Sequence, residues 1–219
     1  RTRGYWSEVW NDLLELDPDF FEAYLDLSSV PWRRTDGLGP KLRELIYVAI
    51  DASTTHLYGV GTRIHMRNAL EHGATREEIL EVLQLTSVLG VHSLTVGVPI
   101  LLEELAAEGR AEGQPAPLTP AQEALKAEFV ETRGYWSELW EGVLRLSPDY
   151  FEAYKNFSSV PWRKGTLSPR DKELIYIAID AATTHLYEPG IRIHIRNALN
   201  HGATARPRTT GRNDNQKGG

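Results

Sequence analysis

Acidic and imidazole side chains that can hold and move protons occur twice in this chain of 219 residues. In both places a glutamate, an aspartate and two histidines follow one another at steps of seven, five and nine residues. A carboxylate that orients an imidazole is a common device of general acid–base catalysis. The candidate catalytic residues are therefore Glu44, His56 and His65 in the first place and Glu173, His185 and His194 in the second.

The carboxylates lie on a helix whose other residues are mostly apolar. Glu44, Tyr47 and Asp51 share one face, because residues three and four positions apart are neighbours on a helix surface. Glu173, Tyr176 and Asp180 repeat the pattern. A buried carboxylate is costly unless it is hydrogen-bonded or paired. This polar stripe predicts either a structural network between helices or a polar pocket, and both interpretations stay open.

Arginines follow on the next predicted helix. They are explained equally well as charged side chains on a solvent-exposed face or as ligands for a substrate. Beside histidines they would also suit an anionic substrate, because a guanidinium matches a carboxylate in shape. Two histidines and a carboxylate could instead bind a divalent metal, but the spacing matches no metal signature, so no metal is expected. The candidate substrate-binding residues are Arg63, Tyr58 and Asp51, with Arg192, Tyr187 and Asp180 in the second set.

Two further histidines have other interpretations. His72 precedes Gly73, where an imidazole at a helix end interacts favourably with the helix dipole. His92 has no counterpart, because the second copy does not continue into the corresponding segment.

The elements that position these side chains belong to a tandem duplication. Residues 2–33 recur as 132–163, and residues 38–75 recur as 167–204. The repeat unit is roughly 130 residues long. We expect a first unit over 1–107, a linker over 108–120, a second and incomplete unit over 121–204, and a polar, disordered tail over 205–219.

Apolar residues recur at three- and four-residue spacing throughout, and no segment alternates with period two, so we predict an all-α fold. Helix starts are expected at Asp17-Pro18 and Pro40, and at capping boxes opened by Thr75 and Thr119. The second helix is expected to end near residue 29, before Val30-Pro31. The fifth is expected to reach residue 89 and to be broken over 90–98, before a last helix ending near 107.

Composition excludes several classes of function. Cysteine is absent, which excludes a disulfide framework, a zinc–thiolate cage and thiol redox chemistry. The 24 Lys and Arg are outnumbered by 30 Asp and Glu, so the positive surplus of a nucleic-acid binder is missing. No uninterrupted apolar stretch approaches the ~20 residues of a membrane helix, and no leader opens the chain. We expect a cytoplasmic protein with neither a membrane nor a nucleic acid as partner.

Two motifs resemble a known family. The first is Leu-x-Pro-x-x-x-Glu-Leu-Ile-x-x-Ala-Ile, from residue 38. The second is Arg-x-His-x-Arg-Asn-Ala-Leu-x-His-Gly-Ala-Thr, from residue 63. Over about 38–89 and 167–204, the chain resembles the carboxymuconolactone decarboxylase and alkylhydroperoxidase D-like superfamily. The resemblance implies small helical units that assemble into homo-oligomers.

The peroxidase branch of that superfamily carries a glutamate, a cysteine twelve residues on, a second cysteine three later and a histidine four beyond. His56 and His185 stand where its first cysteine would be, and His65 and His194 match its histidine if the hairpin carries a two-residue insertion. Without thiols, the resemblance implies the decarboxylase-like branch, which acts without a cofactor on a small carboxylated lactone or keto acid.

In such a reaction His65, oriented by Glu44, would donate the proton, while His56 or Arg63 would face the developing enolate oxygen or anchor a carboxylate. A metal-dependent lyase or isomerase, and a non-catalytic binding or assembly protein, are the alternatives.

Overall fold

The computed structural model describes residues 6, 8–34, 37–110 and 116–204. Within these ranges every regular element is a helix, which confirms the all-α prediction. The predicted disordered tail over 205–219 and part of the predicted linker, 111–115, lie outside the described residues.

Short 3-10 turns at Glu8–Trp10 and Val88–Val91 precede α1 and α6. The helices are α1 (Asn11–Leu16), α2 (Pro18–Arg33), α3 (Pro40–Ala52), α4 (Gly59–Glu71), α5 (Arg76–Ser87), α6 (His92–Ala107), α7 (Pro120–Arg133), α8 (Leu139–Leu146), α9 (Pro148–Ser158), α10 (Val160–Lys164), α11 (Pro169–Asp180) and α12 (Glu188–Asn200).

Most helix ends lie where local sequence predicts them. The Asp17 side chain accepts a hydrogen bond from the backbone of Phe20 at the start of α2. Thr75 opens α5 with a complete capping box, and Thr119 opens α7 in the same way. After α4, Gly73 has a φ of 83°, a left-handed conformation that glycine adopts without steric cost.

One predicted helix end is wrong in the first repeat. α2 does not end before Val30-Pro31 but continues through Pro31 to Arg33. A proline inside a helix removes one backbone hydrogen bond without necessarily ending the helix, and here only two residues remain after it. The same sequence in the second repeat does divide the helix, because α9 ends at Ser158 and α10 begins at Val160.

The predicted break over 90–98 is also wrong in extent. The interruption is only the 3-10 turn Val88–Val91, and α6 begins at His92. α6 packs against α8, where Gly142 permits a close approach: a Cβ at that position would come 2.8 Å from a Val98 methyl. Gly97 and Pro99 disfavour a helix in this segment, and tertiary packing stabilises the helix in spite of them.

The two repeats are packed together rather than separate. The α3–α4 hairpin of the first and the α11–α12 hairpin of the second meet where α3 contacts α11. Leu45 and Val48 share a buried cluster with Ile175 and Ile179. α6 then packs on α8 of the second repeat, so part of the first unit covers the second. The unit boundaries proposed from the repeat stay a prediction.

The stretch Arg76–Ala107 consists of α5, the 3-10 turn and α6. By length and composition it could cross a membrane. This is weak evidence, because core helices of soluble proteins pass the same test. α5 contacts both α3 and α11, and Glu81 within it is buried in an ion pair with Lys172. The absence of a membrane partner stays a prediction.

We expect Glu81→Ala to destabilise the fold strongly. Glu81 accepts hydrogen bonds from the backbone of Thr166 at 2.6 Å and Leu167 at 2.9 Å, and lies 3.0 Å from the Lys172 ammonium. Removing one partner of a buried ion pair leaves the other charge uncompensated, at a cost of about 3–5 kcal/mol in the free energy of unfolding. Urea unfolding measures this loss. Glu188→Ala, which breaks an exposed pair, is the control, and equal stability of the two variants would contradict the prediction.

Candidate active site

A glutamate–histidine pair forms the centre of the second-repeat site. Nδ1 of His194 on α12 lies 2.5 Å from a carboxylate oxygen of Glu173 on α11, and both residues are buried. Asn197 donates a hydrogen bond to the other Glu173 oxygen at 3.3 Å. With Glu173 ionised, Nδ1 carries the proton, and Nε2 faces Asp180 at 3.9 Å from Oδ2. The Tyr176 ring stacks on the imidazole at a centroid distance of 4.5 Å, which fixes its plane.

The first repeat carries the same pair with almost the same dimensions. Nδ1 of His65 lies 2.6 Å from Glu44, its Nε2 lies 3.9 Å from Asp51, and the Tyr47 ring stacks on it at 4.5 Å. The structure therefore brings together the glutamate, aspartate and helix-hairpin histidine of each predicted set. In both repeats one oxygen of the aspartate lies 3.9 Å from Nε2, the imidazole nitrogen that points away from the glutamate.

A cavity of about 40 Å³ lies beside the second pair. This volume has room for roughly three water molecules, or for a compact carboxylate. Anything larger needs the lining side chains to move. Both repeats contribute to the lining, whose polar and aromatic members are His92, Thr95, Arg133, Tyr135, Trp140, Tyr154, Tyr176, Asp180, Tyr187 and His194.

Arg133, the last residue of α7, is a buried cation on the wall of this cavity. Its guanidinium lies over the Trp162 ring at 4.8 Å and the Tyr176 ring at 5.6 Å. Its Nε has no hydrogen-bond partner among the described residues. A buried guanidinium with a free donor suits a carboxylate or enolate oxygen. Arg133 is not among the residues predicted from the sequence, although its segment, Thr-Arg-Gly-Tyr-Trp, occurs unchanged at 2–6 and 132–136.

α6 closes the second site from the first repeat. Nδ1 of His92 lies 2.7 Å from Nε2 of His185, and its ring stacks on Tyr187 at 3.8 Å. The Tyr187 hydroxyl is in turn hydrogen-bonded to Thr95 at 2.6 Å. Sequence spacing does not predict this arrangement, because His92 lies 93 residues before the histidine that it contacts.

Burial sets the charge of the groups around the cavity. It raises the pKa of Asp180 to about 7, with a further contribution from the negative charge of Glu173. It lowers the pKa of His92 to about 3, and the nearby His185 and His194 lower it further. Burial also lowers the pKa of His185. Burial therefore favours the neutral form of both imidazoles.

The first-repeat site is open to solvent. Asp51 and Arg63 line a surface depression of about 410 Å³ together with Met66. The His56 side chain is 38% exposed and lies 3.9 Å from Asp51, and Tyr58 is also exposed. Burial raises the pKa of Asp51, while the positive charges of His65 and His56 oppose this change. Among the described residues, no helix covers His56 as α6 covers His185.

The sequence profile of the carboxymuconolactone decarboxylase family matches residues 18–93 and 148–207. The chain belongs to the carboxymuconolactone decarboxylase family. The matched segments fall in the two repeats, in agreement with the resemblance inferred from sequence. A crystal structure from Burkholderia xenovorans LB400 is similar over 94% of this chain and 82% of its own, with 54% sequence identity and a TM-score of 0.89. That protein is assigned by name as a gamma-carboxymuconolactone decarboxylase subunit. No curated protein matches the chain.

The other candidate residues differ between the two carboxymuconolactone decarboxylase repeats. Tyr187 and Asp180 line the second cavity, but Arg192 does not. Arg192 is exposed and pairs with Glu188 one turn earlier at 2.5 Å, because its position on α12 faces solvent. The guanidinium at the cavity of this family member is that of Arg133.

A glycine on the last helix of the second repeat allows the site to close. A Cβ at Gly190 would overlap the Asp180 carboxylate and come 2.7 Å from the Tyr187 ring. Gly61 has the same relation to Asp51 and Tyr58 in the first repeat. The missing side chain thus lets each helix hairpin of this family member bring its aspartate close to its tyrosine.

Proposed function

We propose that this chain is a decarboxylase that acts by acid–base chemistry on a compact carboxylated lactone or keto acid. We place the reaction in the second-repeat cavity, whose lining side chains have to move apart to admit such a substrate. One observation carries the proposal: His194, Asp180 and the buried Arg133 line the same cavity. The family and the name of the solved relative support the choice of decarboxylation.

Loss of carbon dioxide breaks a carbon–carbon bond and leaves its electron pair on the substrate. The pair moves into the adjacent carbonyl to give an enolate, which must then take a proton on carbon. The enzyme has to stabilise the enolate oxygen and to supply that proton.

Each requirement has a residue at the cavity. Arg133 donates from Nε to the oxygen on which negative charge develops, and its burial makes that interaction stronger than it would be in water. Protonated His194 donates the proton from Nε2, while Glu173 holds Nδ1 and balances the positive charge. His194 then regains a proton from solvent, which completes the cycle.

Incubation of the purified chain with a panel of small carboxylated lactones and keto acids tests the proposal. We expect release of carbon dioxide from at least one acid, with one deuterium in the product carbon when the reaction runs in D2O. Binding of these acids without carbon dioxide release would instead support a non-catalytic binding protein. A product formed without loss of carbon dioxide would support an isomerase.

We also propose that the chain works as a homo-oligomer. The solved relative is named a subunit, and α6 carries the exposed apolar residues Val96, Ile100 and Leu101. Light scattering coupled to size exclusion measures the assembly directly.

A further inference from the structure

We propose that His92, His185 and Asp180 form a binding site for one divalent transition-metal ion. The proposal concerns binding alone and stands independently of the decarboxylase assignment. It is founded on three ligand atoms from two parts of the chain, α6 and the α11–α12 hairpin, which the fold brings together.

The three atoms are Nδ1 of His92, Nε2 of His185 and Oδ1 of Asp180, all within 4.8 Å of one another. The two nitrogens are 2.7 Å apart, and each lies 3.8 or 3.9 Å from the carboxylate oxygen. Around an ion with bonds of about 2.1 Å, neighbouring ligand atoms are separated by about 2.9–3.4 Å. Small movements of the side chains, outward for the imidazole pair and inward for the aspartate, therefore complete the site.

The donor set fits a transition metal. Imidazole nitrogen suits zinc, iron, copper and nickel, and two histidines with one carboxylate leave further positions for water or substrate. The two imidazoles share one hydrogen bond, and when an ion replaces it the shared proton moves to the other nitrogen of the same ring, so that both histidines bind as neutral imidazoles. His92 and Asp180 also line the cavity, so a free coordination position would face the space beside His194.

The surroundings hold one ligand in place. The ring of His92 lies flat on Tyr187, with 21° between the planes, and the Tyr187 hydroxyl is hydrogen-bonded to Thr95. Residues that orient a ligand contribute strongly to metal affinity. Oδ2 of Asp180 is buried and has no hydrogen-bond partner among the described residues. This oxygen could therefore bind the ion or a water molecule coordinated to it.

Spacing within one repeat cannot reveal this site, because its third ligand comes from α6. The first repeat supplies a natural comparison. His56 and Asp51 stand 3.9 Å apart, as His185 and Asp180 do, but the described residues bring no third ligand to them. The same two side chains are thus present twice, once with a second imidazole and once without.

Equilibrium dialysis of the chelator-treated chain against Co²⁺ and Zn²⁺, followed by metal analysis, tests the proposal. We expect one ion per chain, and for Co²⁺ a visible absorption band of a nitrogen- and oxygen-coordinated ion. His92→Gln and His185→Gln should each weaken binding at least tenfold and abolish the band, while His56→Gln should leave both unchanged. Circular dichroism and the unfolding midpoint identify any variant that has lost its fold, and His92→Asn then provides a second substitution.

Three results would overturn the proposal. One is a wild-type chain that binds less than one ion under these conditions. Another is a folded His92→Gln chain with wild-type affinity. The third is equal loss of binding in the His56→Gln control, which would place the ion in the first repeat. These experiments measure metal binding and not carbon dioxide release. Failure of the metal proposal is therefore distinguishable from failure of the proposed decarboxylase function.

Discussion

Replacing His194 by glutamine should lower kcat for carbon dioxide release by about 10²–10⁴, the usual contribution of a positioned proton donor. Glutamine keeps most of the volume and can still bond to Glu173, but it has no titratable nitrogen facing the cavity. We expect KM to change less than kcat, because binding of the substrate oxygen is assigned to Arg133. Steady-state kinetics on any acid that the panel identifies provide the measurement.

The matched control is His65→Gln in the first repeat. Its pair with Glu44 has the same geometry, so the two substitutions disturb the local fold in similar ways. We expect it to lower kcat less than tenfold, because the first site lacks the enclosure that α6 gives the second. Equal losses in the two variants would mean that both repeats catalyse, and full activity in His194→Gln would remove this histidine from the mechanism.

The glutamate–histidine pairs were predictable because they depend on local geometry. Glu173 and Asp180 lie on one face of a single helix, and His194 follows on the next helix of the same hairpin. Helix caps and apolar faces define where both helices begin and which sides of them are buried. A short hairpin then leaves few ways to arrange these side chains relative to one another. The same reasoning predicted the all-α fold and most helix boundaries.

The enclosure of the second site was not predictable in this way. Arg133 comes from the end of α7 and His92 from the start of α6, and both reach the cavity through tertiary packing alone. Sequence periodicity reports which face of a helix is buried but not which other helix it meets. The predicted break over 90–98 also concealed the first two turns of α6, which carry His92 and Thr95 at the cavity.

The duplication therefore has produced two sites of different character from nearly identical sequences. The first keeps a glutamate–histidine pair beside an open surface depression, while the second has the same pair beside a less open cavity, with an added imidazole. Electrostatic interactions are stronger where water is excluded. The pKa of Asp180, raised to about 7, is a direct consequence of that exclusion.

Arg133→Met should lower kcat/KM for decarboxylation by about 10²–10³, the effect of removing one donor from a developing oxyanion. Methionine fills a similar volume among the surrounding rings but offers no hydrogen bond. Arg133→Lys keeps the positive charge without the planar fork and should recover only part of the lost rate. Kinetics for wild type and both variants give the comparison. Arg3→Met, at the matching position of the first repeat, is the control and should leave kcat/KM near that of wild type.

Stability separates this functional role from a structural one. The guanidinium of Arg133 is buried against aromatic rings, and it donates a long hydrogen bond of 3.5 Å to the backbone oxygen of Ser158. Arg133 has no salt bridge to a carboxylate among the described residues, so its replacement by an apolar side chain of similar volume removes the cost of burying an unpaired charge. We therefore expect the urea midpoint of Arg133→Met to equal or exceed that of wild type while the activity falls. A variant that lost stability and activity together would show that Arg133 serves the core, and the enolate oxygen would then need another donor.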